Sequence, residues 1–145
     1  MPALHDPSVH QSLRSRVERM RPDAARQWGK MTSDQMLRHV NIALGAALGH
    51  TKFPVMKMPM PGPVYRFFAY YFPIPKGAPT HPNFIVTERC DFNAEQARCL
   101  SLLDEFVRKP IDAAWPESVF GRVTGKFNSH VQAKHVDHHL RQFGA

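Results

Sequence analysis

A chain of 145 residues fits one domain, expected to span residues 1–145, and at that length roughly two thirds of the unfolded surface can be buried. Its apolar content of 43% holds no uninterrupted run of about twenty residues, and no charged segment followed by a hydrophobic stretch opens it, so no membrane span and a cytoplasmic location are expected. The net charge of +7 raises nucleic acid as a partner, but the densest basic stretch, "RSRVERMRPDAARQWGK", is interrupted by Glu18 and Asp23 and carries no nucleic-acid motif; a solvated helix face is expected, with attraction of anionic small molecules left open.

Residues 7 to 20, "PSVHQSLRSRVERM", place Val9, Leu13, Val17 and Met20 at the spacing of one helical stripe, which Arg21-Pro22 ends. A second helix starts near Thr32, where Thr32 and Gln35 have the pattern of a capping box, and Met36, Val40, Ala43 and Ala47 continue its buried side. Gly45, Ala46, Ala47 and Gly49 predict close approach by a neighbouring helix, at some cost to the last turns. Eight of the thirteen prolines then fall between Pro54 and Pro82, which forbids a long regular helix there. Inside this excursion "VYRFFAYYF" gathers six aromatics from Tyr65 to Phe72, enough to cover a core or pocket or to form a short helix, while "FIVTERCDF" suits extended backbone without defining a strand.

Asn93 is expected to cap the next helix, whose face Ala97, Leu100, Leu103 and Val107 form and Leu102 and Phe106 widen, and Pro110 closes it. After the loop "IDAAWPESVFGRV" a last helix runs from about Thr124 to Phe143, with Gly144 as its C-cap. Two cysteines, Cys90 and Cys99, are too few for a disulfide framework and match no common zinc spacing; Cys99 reads as buried. The pattern predicts an all-α four-helix bundle with a long Pro-rich crossover between the second and third helices, and bundle interiors commonly hold metal sites.

Near the end, "KHVDHHLRQFG" crowds three histidines into five positions, interleaved with Val136, Asp137, Leu140 and Phe143 rather than run together as a tag. On a helix His135 and His139 share one face, a spacing that can chelate one metal ion. On spacing alone the pair reads equally well as a solvated surface feature. His39, in "QMLRHV", lies on or beside the buried stripe of the second helix. A lone inward histidine is commonly a hydrogen-bonded core residue; opposite such a pair it becomes a candidate third ligand, and three protein ligands suffice for a catalytic zinc-like centre.

Two blocks, "MRPDAARQWGKMTSDQMLRHV" and "FGRVTGKFNSHVQAKHVDHHLRQFG", with "PKGAPTHPNF" and "DFNAEQARCLSLLDEF" between them, resemble a bacterial branch of the DinB-like family across residues 12 to 144. The resemblance implies a DinB-like four-helix bundle, often dimeric, that holds a divalent metal, nickel or zinc, by three histidines. By position these fall on His39, His135 and His139, and Gln142 matches a glutamine that can orient a histidine or a bound water. His138, about 100° around the helix from His139, is a neighbour rather than a ligand. Where the branch tends to have tryptophan, this chain has Asn128, on nearly the face of His135, which would leave the pocket more polar or less covered. His130 is expected to point away, His50 to lie too far along its helix, and His5, His10 and His81 to be solvent-exposed.

The functional expectation is a metal-dependent enzyme acting on a small molecule, as a thiol-dependent S-transferase using a low-molecular-weight thiol, or as a hydrolase. No acid/base residue stands out: Asp137 is expected to face outward, and nothing selects among Tyr65, Tyr70 and Tyr71. The alternative is a non-catalytic metal-binding bundle acting as a dimeric binding or stress-response module.

Overall fold

The computed structural model describes residues 2–145. The chain is all-helical: α1 (Pro7–Arg19), α2 (Ser33–Leu48), α3 (Gly62–Tyr71), α4 (Phe92–Arg108) and α5 (Gly125–Gln142), with a 3-10 turn at Pro82–Phe84 and no strand among the described residues. Among the described residues no helix is long and apolar enough to cross a membrane.

Local chemistry sets most of the ends. The Asp6 carboxylate accepts from the Ser8 amide at 2.8 Å and Pro7 opens the first turn of α1. The Gln35 side chain accepts from the Thr32 amide at 3.0 Å, half of the reciprocal pair expected at the start of α2. Gly49, at φ 86°, ends α2 in the left-handed region, where a side chain would be strained. α4 is capped by Asp91, whose carboxylate accepts from the Ala94 amide at 3.0 Å, and not by Asn93; the helix therefore begins two residues earlier than the sequence suggested. Thr124 caps α5 through a 3.1 Å bond from the Phe127 amide.

α1 and α2 each pack against both α4 and α5, whereas α3 touches only α5 among the helices. Leu13 and Val17 of α1, Met36, Leu37, Val40 and Leu44 of α2, Cys99, Leu102, Leu103 and Phe106 of α4, and Val136 and Leu140 of α5 form one core. Each such side chain contributes about 1.5–3 kcal/mol by leaving water. The face of α4 is turned from its expected setting: Ala97 is exposed and Leu100 and Val107 are half-buried. Facing both α1 and α2, the helix buries Leu102, Leu103 and Phe106 at the centre, and Ala97 has little area to compete.

The close helix approach expected from Gly45 to Gly49 is not seen at Gly45, and at Gly49 the close neighbour is Pro116 of the loop before α5, which a Cβ would meet at 2.8 Å. A Cβ on Gly45 would meet only His50, and Ala46 and Ala47, with Ala43, line an internal cavity instead. The crossover from α2 to α4 is held one side chain at a time. Gln35 donates to the Thr87 and Glu88 carbonyls at 3.1 Å each, and the Asp34 carboxylate accepts from the Cys90 amide at 2.7 Å. Burial would raise Asp34, but the Thr32 side chain, the Cys90 amide and Arg89 beside its carboxylate outweigh it and hold the carboxyl at about 2. The aromatic stretch forms α3, a fifth helix inside the crossover. Its C-terminal carbonyls are gathered by α5: Lys134 Nζ donates to those of Ala69, Tyr70 and Phe72, and the His130 ring reaches the Tyr70 carbonyl at 2.7 Å.

Candidate metal centre

α2 turns His39 inward on the side of Met36 and Val40, at 4% exposure, and α5 presents His135 and His139 one turn apart toward it. The three rings form a compact triangle, with centroids 5.0 Å apart for His39 and His135, 4.6 Å for His39 and His139, and 4.7 Å for His135 and His139. One candidate ligand atom from each lies within 4.8 Å of the others, and the Nε2 atoms of His39 and His135 are 3.0 Å apart.

Two of the three outward nitrogens, those of His39 and His139, are already engaged. His39 Nδ1 lies 2.8 Å from the Phe84 carbonyl oxygen, which can only accept, so Nδ1 carries the proton and Nε2 offers a lone pair inward. His139 Nδ1 is fixed likewise by Gln142 Oε1 at 2.9 Å, and Gln142 Nε2 donates to the Trp28 carbonyl at 2.9 Å. That second bond fixes which end of the amide faces the histidine. Gly29, at φ 81°, follows closely: a Cβ there would collide with Gln142 Nε2.

Burial lowers all three imidazoles. His39 falls below its usual value although the Phe84 bond opposes this; His135 falls well below it through burial and then the neighbouring histidines; and His139 falls to about 3 through burial and then His39, against the Gln142 bond. Three neutral imidazoles whose nitrogens lie this close together are a donor set that zinc or nickel takes, and a tetrahedral ion would hold its nitrogens roughly 3.3 Å apart. The residues fit such an ion.

The histidines form one wall of a cavity of about 570 Å³. The opposite wall comes from the crossover, including Met56, Met58, Met60, Tyr65 and Phe68, and a third side from Trp28 to Met31. Tyr65 stacks on Phe120 at 5.5 Å, and burial raises its hydroxyl above the usual value. His138 lines the cavity 5.1 Å from the His139 ring and against Trp28 at 5.6 Å, outside the triangle.

Several sequence expectations change here. Asn128 is buried at 1% but is not among the cavity-lining residues; the side chain on that stripe that does line it is Gln132, one turn nearer the histidines. His81 is buried, not exposed, and links the Pro54 carbonyl at 2.8 Å to the Asn83 amide at 3.1 Å. His5 and His10 are half-buried on Ser129 and Asp104. His130 is buried on the Pro2 and Tyr70 carbonyls, and His50 pairs with Glu105, both away from the triangle. Asp137 is held between Arg16 and Arg141. Gln132 was findable from its position three residues before His135 on the same face; Trp28 and the crossover methionines carried no periodic signal.

No protein-family model, curated protein or solved structure matches the chain.

Proposed function

We propose that the protein is a DinB-like four-helix bundle, built from α1, α2, α4 and α5, and a metal-dependent enzyme acting on a small molecule by S-transfer from a low-molecular-weight thiol or by hydrolysis. His39, His135 and His139 would hold a divalent ion, nickel or zinc. The observation that carries this reading is the convergence of three neutral imidazoles, two of them with fixed tautomers, on the wall of an apolar cavity. When bound, such an ion supplies Lewis acidity, favouring the deprotonated form of a water or thiol. The chain's own part is to orient the donors through Phe84 and Gln142 and to line the space beside them with the apolar side chains of the crossover. A cytoplasmic homodimer completes the proposal, and the exposed aromatics Phe67, Phe68 and Tyr71 of α3, with Phe72 just after it, offer a surface for a second copy. A nucleic-acid partner is disfavoured, because Arg14, Arg16 and Arg21 in the basic stretch are paired with carboxylates.

One observation favours the second reading, a non-catalytic metal-binding module: among the described residues no carboxylate lines the cavity to act as acid or base. Elemental analysis of untagged protein tests the centre. Wild type is expected to carry stoichiometric metal and His39→Ala and His135→Ala almost none; metal retained by both variants sinks the proposal. Turnover of a panel of thiols and electrophiles that is equal with and without metal refutes the catalytic half and leaves the module.

A further inference from the structure

We infer that the cavity takes an amphiphile with an apolar body and a single anionic head, a carboxylate or a thiolate, rather than a multiply charged hydrophilic thiol. This rests on the metal reading of the three histidines and names the substrate class for that site.

The body follows from the lining. Met31, Met56, Met58, Met60, Phe68 and Val119 supply thioethers, an aromatic ring and a branched chain, groups that adapt to an apolar surface and offer no hydrogen bonds to a polar one. A volume of about 570 Å³ lies within the range of sites that enclose a small organic molecule. Space is left on the α2 side because alanine stands at positions 43, 46 and 47.

The head follows from charge. Among the described residues no aspartate or glutamate lines the cavity, and its charged lining residues are Lys30 and Lys134. Lys134 Nζ is held by three carbonyls of the α3 end, so its charge is fixed in the wall rather than free to swing out. Three neutral histidines leave both charges of a divalent ion uncompensated in an apolar surround, where attraction to an anion is strong. One negative charge is drawn to the ion; a further charge on the same ligand has only the exposed Lys30 and the carbonyl-bound Lys134 to meet it, and elsewhere would lie against methionine and phenylalanine.

Gln132 adds an independent pointer. It lines the cavity at 6% exposure, and its Oε1 has no hydrogen-bond partner. A buried, unsatisfied amide oxygen one turn before His135 suits a ligand that carries an N–H or O–H donor beside its head.

Calorimetry on untagged, zinc-loaded full-length protein tests the inference, with octanoate, acetate, octan-1-ol and glutathione as probes and zinc content measured first. Octanoate is expected to bind at least about 100-fold tighter than acetate, since six more methylenes leave water. It is also expected to bind at least about tenfold tighter than octan-1-ol, which lacks the charge. Met58→Glu is expected to weaken octanoate about tenfold or more, Met58→Lys to leave it within about threefold, and both to keep their zinc. Zinc-loaded protein that binds acetate or octan-1-ol as tightly as octanoate, or glutathione more tightly, overturns the inference and leaves the metal proposal standing. Equal octanoate affinity in the two Met58 variants overturns it as well. Protein that takes up no zinc overturns both.

Discussion

The two walls of the cavity are built by different physics. The histidine wall belongs to α2 and α5, whose side chains are set by helical period and whose backs are packed into the core through Val40, Leu44, Val136 and Leu140. The crossover wall, from Met56 to Phe84, has one ten-residue helix with no buried residue, and is pinned through His81, Arg66, His130 and Lys134 to individual carbonyls. Order in the first wall is shared among many contacts of the main core; in the second it rests on a small cluster of Ala43, Ala46, Phe84 and Val119, on aromatic pairs such as Tyr65 with Phe120, and on single hydrogen bonds. A chemical centre needs the first kind of wall, and a pocket that admits and releases a ligand can use the second.

Breaking the frame behind the histidine wall should have the largest effect. Phe106→Ala, at a site with 0% exposure, is expected to cost about 3–5 kcal/mol in urea unfolding and to lower metal occupancy with it. A loss below 1 kcal/mol would mean that the packing of α4 does not support the site.

Acid attacks the same wall selectively. His39, His135 and His139 have folded values lowered below 6.5, so as pH falls the unfolded chain takes up protons before the folded one. Stability of the metal-free protein is therefore complete above about 6.5 and is lost progressively toward about 3, the value for His139. Urea midpoints measured in chelator should fall between pH 6.5 and 4.5, above the range in which Asp34 titrates. A flat profile there contradicts burial of three neutral imidazoles.

A smaller effect separates orientation from ligation. Gln142→Leu removes the acceptor that fixes His139 and is expected to weaken metal binding about 10–100-fold while leaving saturation at the wild-type stoichiometry. Competition with a chromophoric chelator reads this directly, and unchanged affinity would make Gln142 a bystander. The smallest effect falls on the other wall. Lys134→Met strands carbonyls at the end of α3 and is expected to cost about 1 kcal/mol. Hydrogen exchange should quicken in α3 with α2 and α5 unchanged; equal quickening in all three would dissolve the contrast between the walls.

Wherever periodicity carried the signal, the sequence was legible. The stripe Leu13 and Val17, the inward turn of His39 and the shared face of His135 and His139 are all set by 3.6 residues per turn, a local property. The same logic misjudged α4, because both possible faces were apolar and only the neighbours α1 and α2 decide which is central. It also gave Asn128 a place in the pocket that the structure gives to Gln132.

By itself, then, the sequence determined four of the five helical segments, the shared face of His135 and His139, and the place of His39 on or beside a buried stripe, since helix period and capping depend on residues a few positions apart. The tertiary structure alone decided that these faces meet within 4.8 Å, that His81 is buried, and that Trp28 and the methionines of a Pro-rich crossover close over them. Those placements join residues tens of positions apart through segments without a repeat, where only packing and single hydrogen bonds select one arrangement.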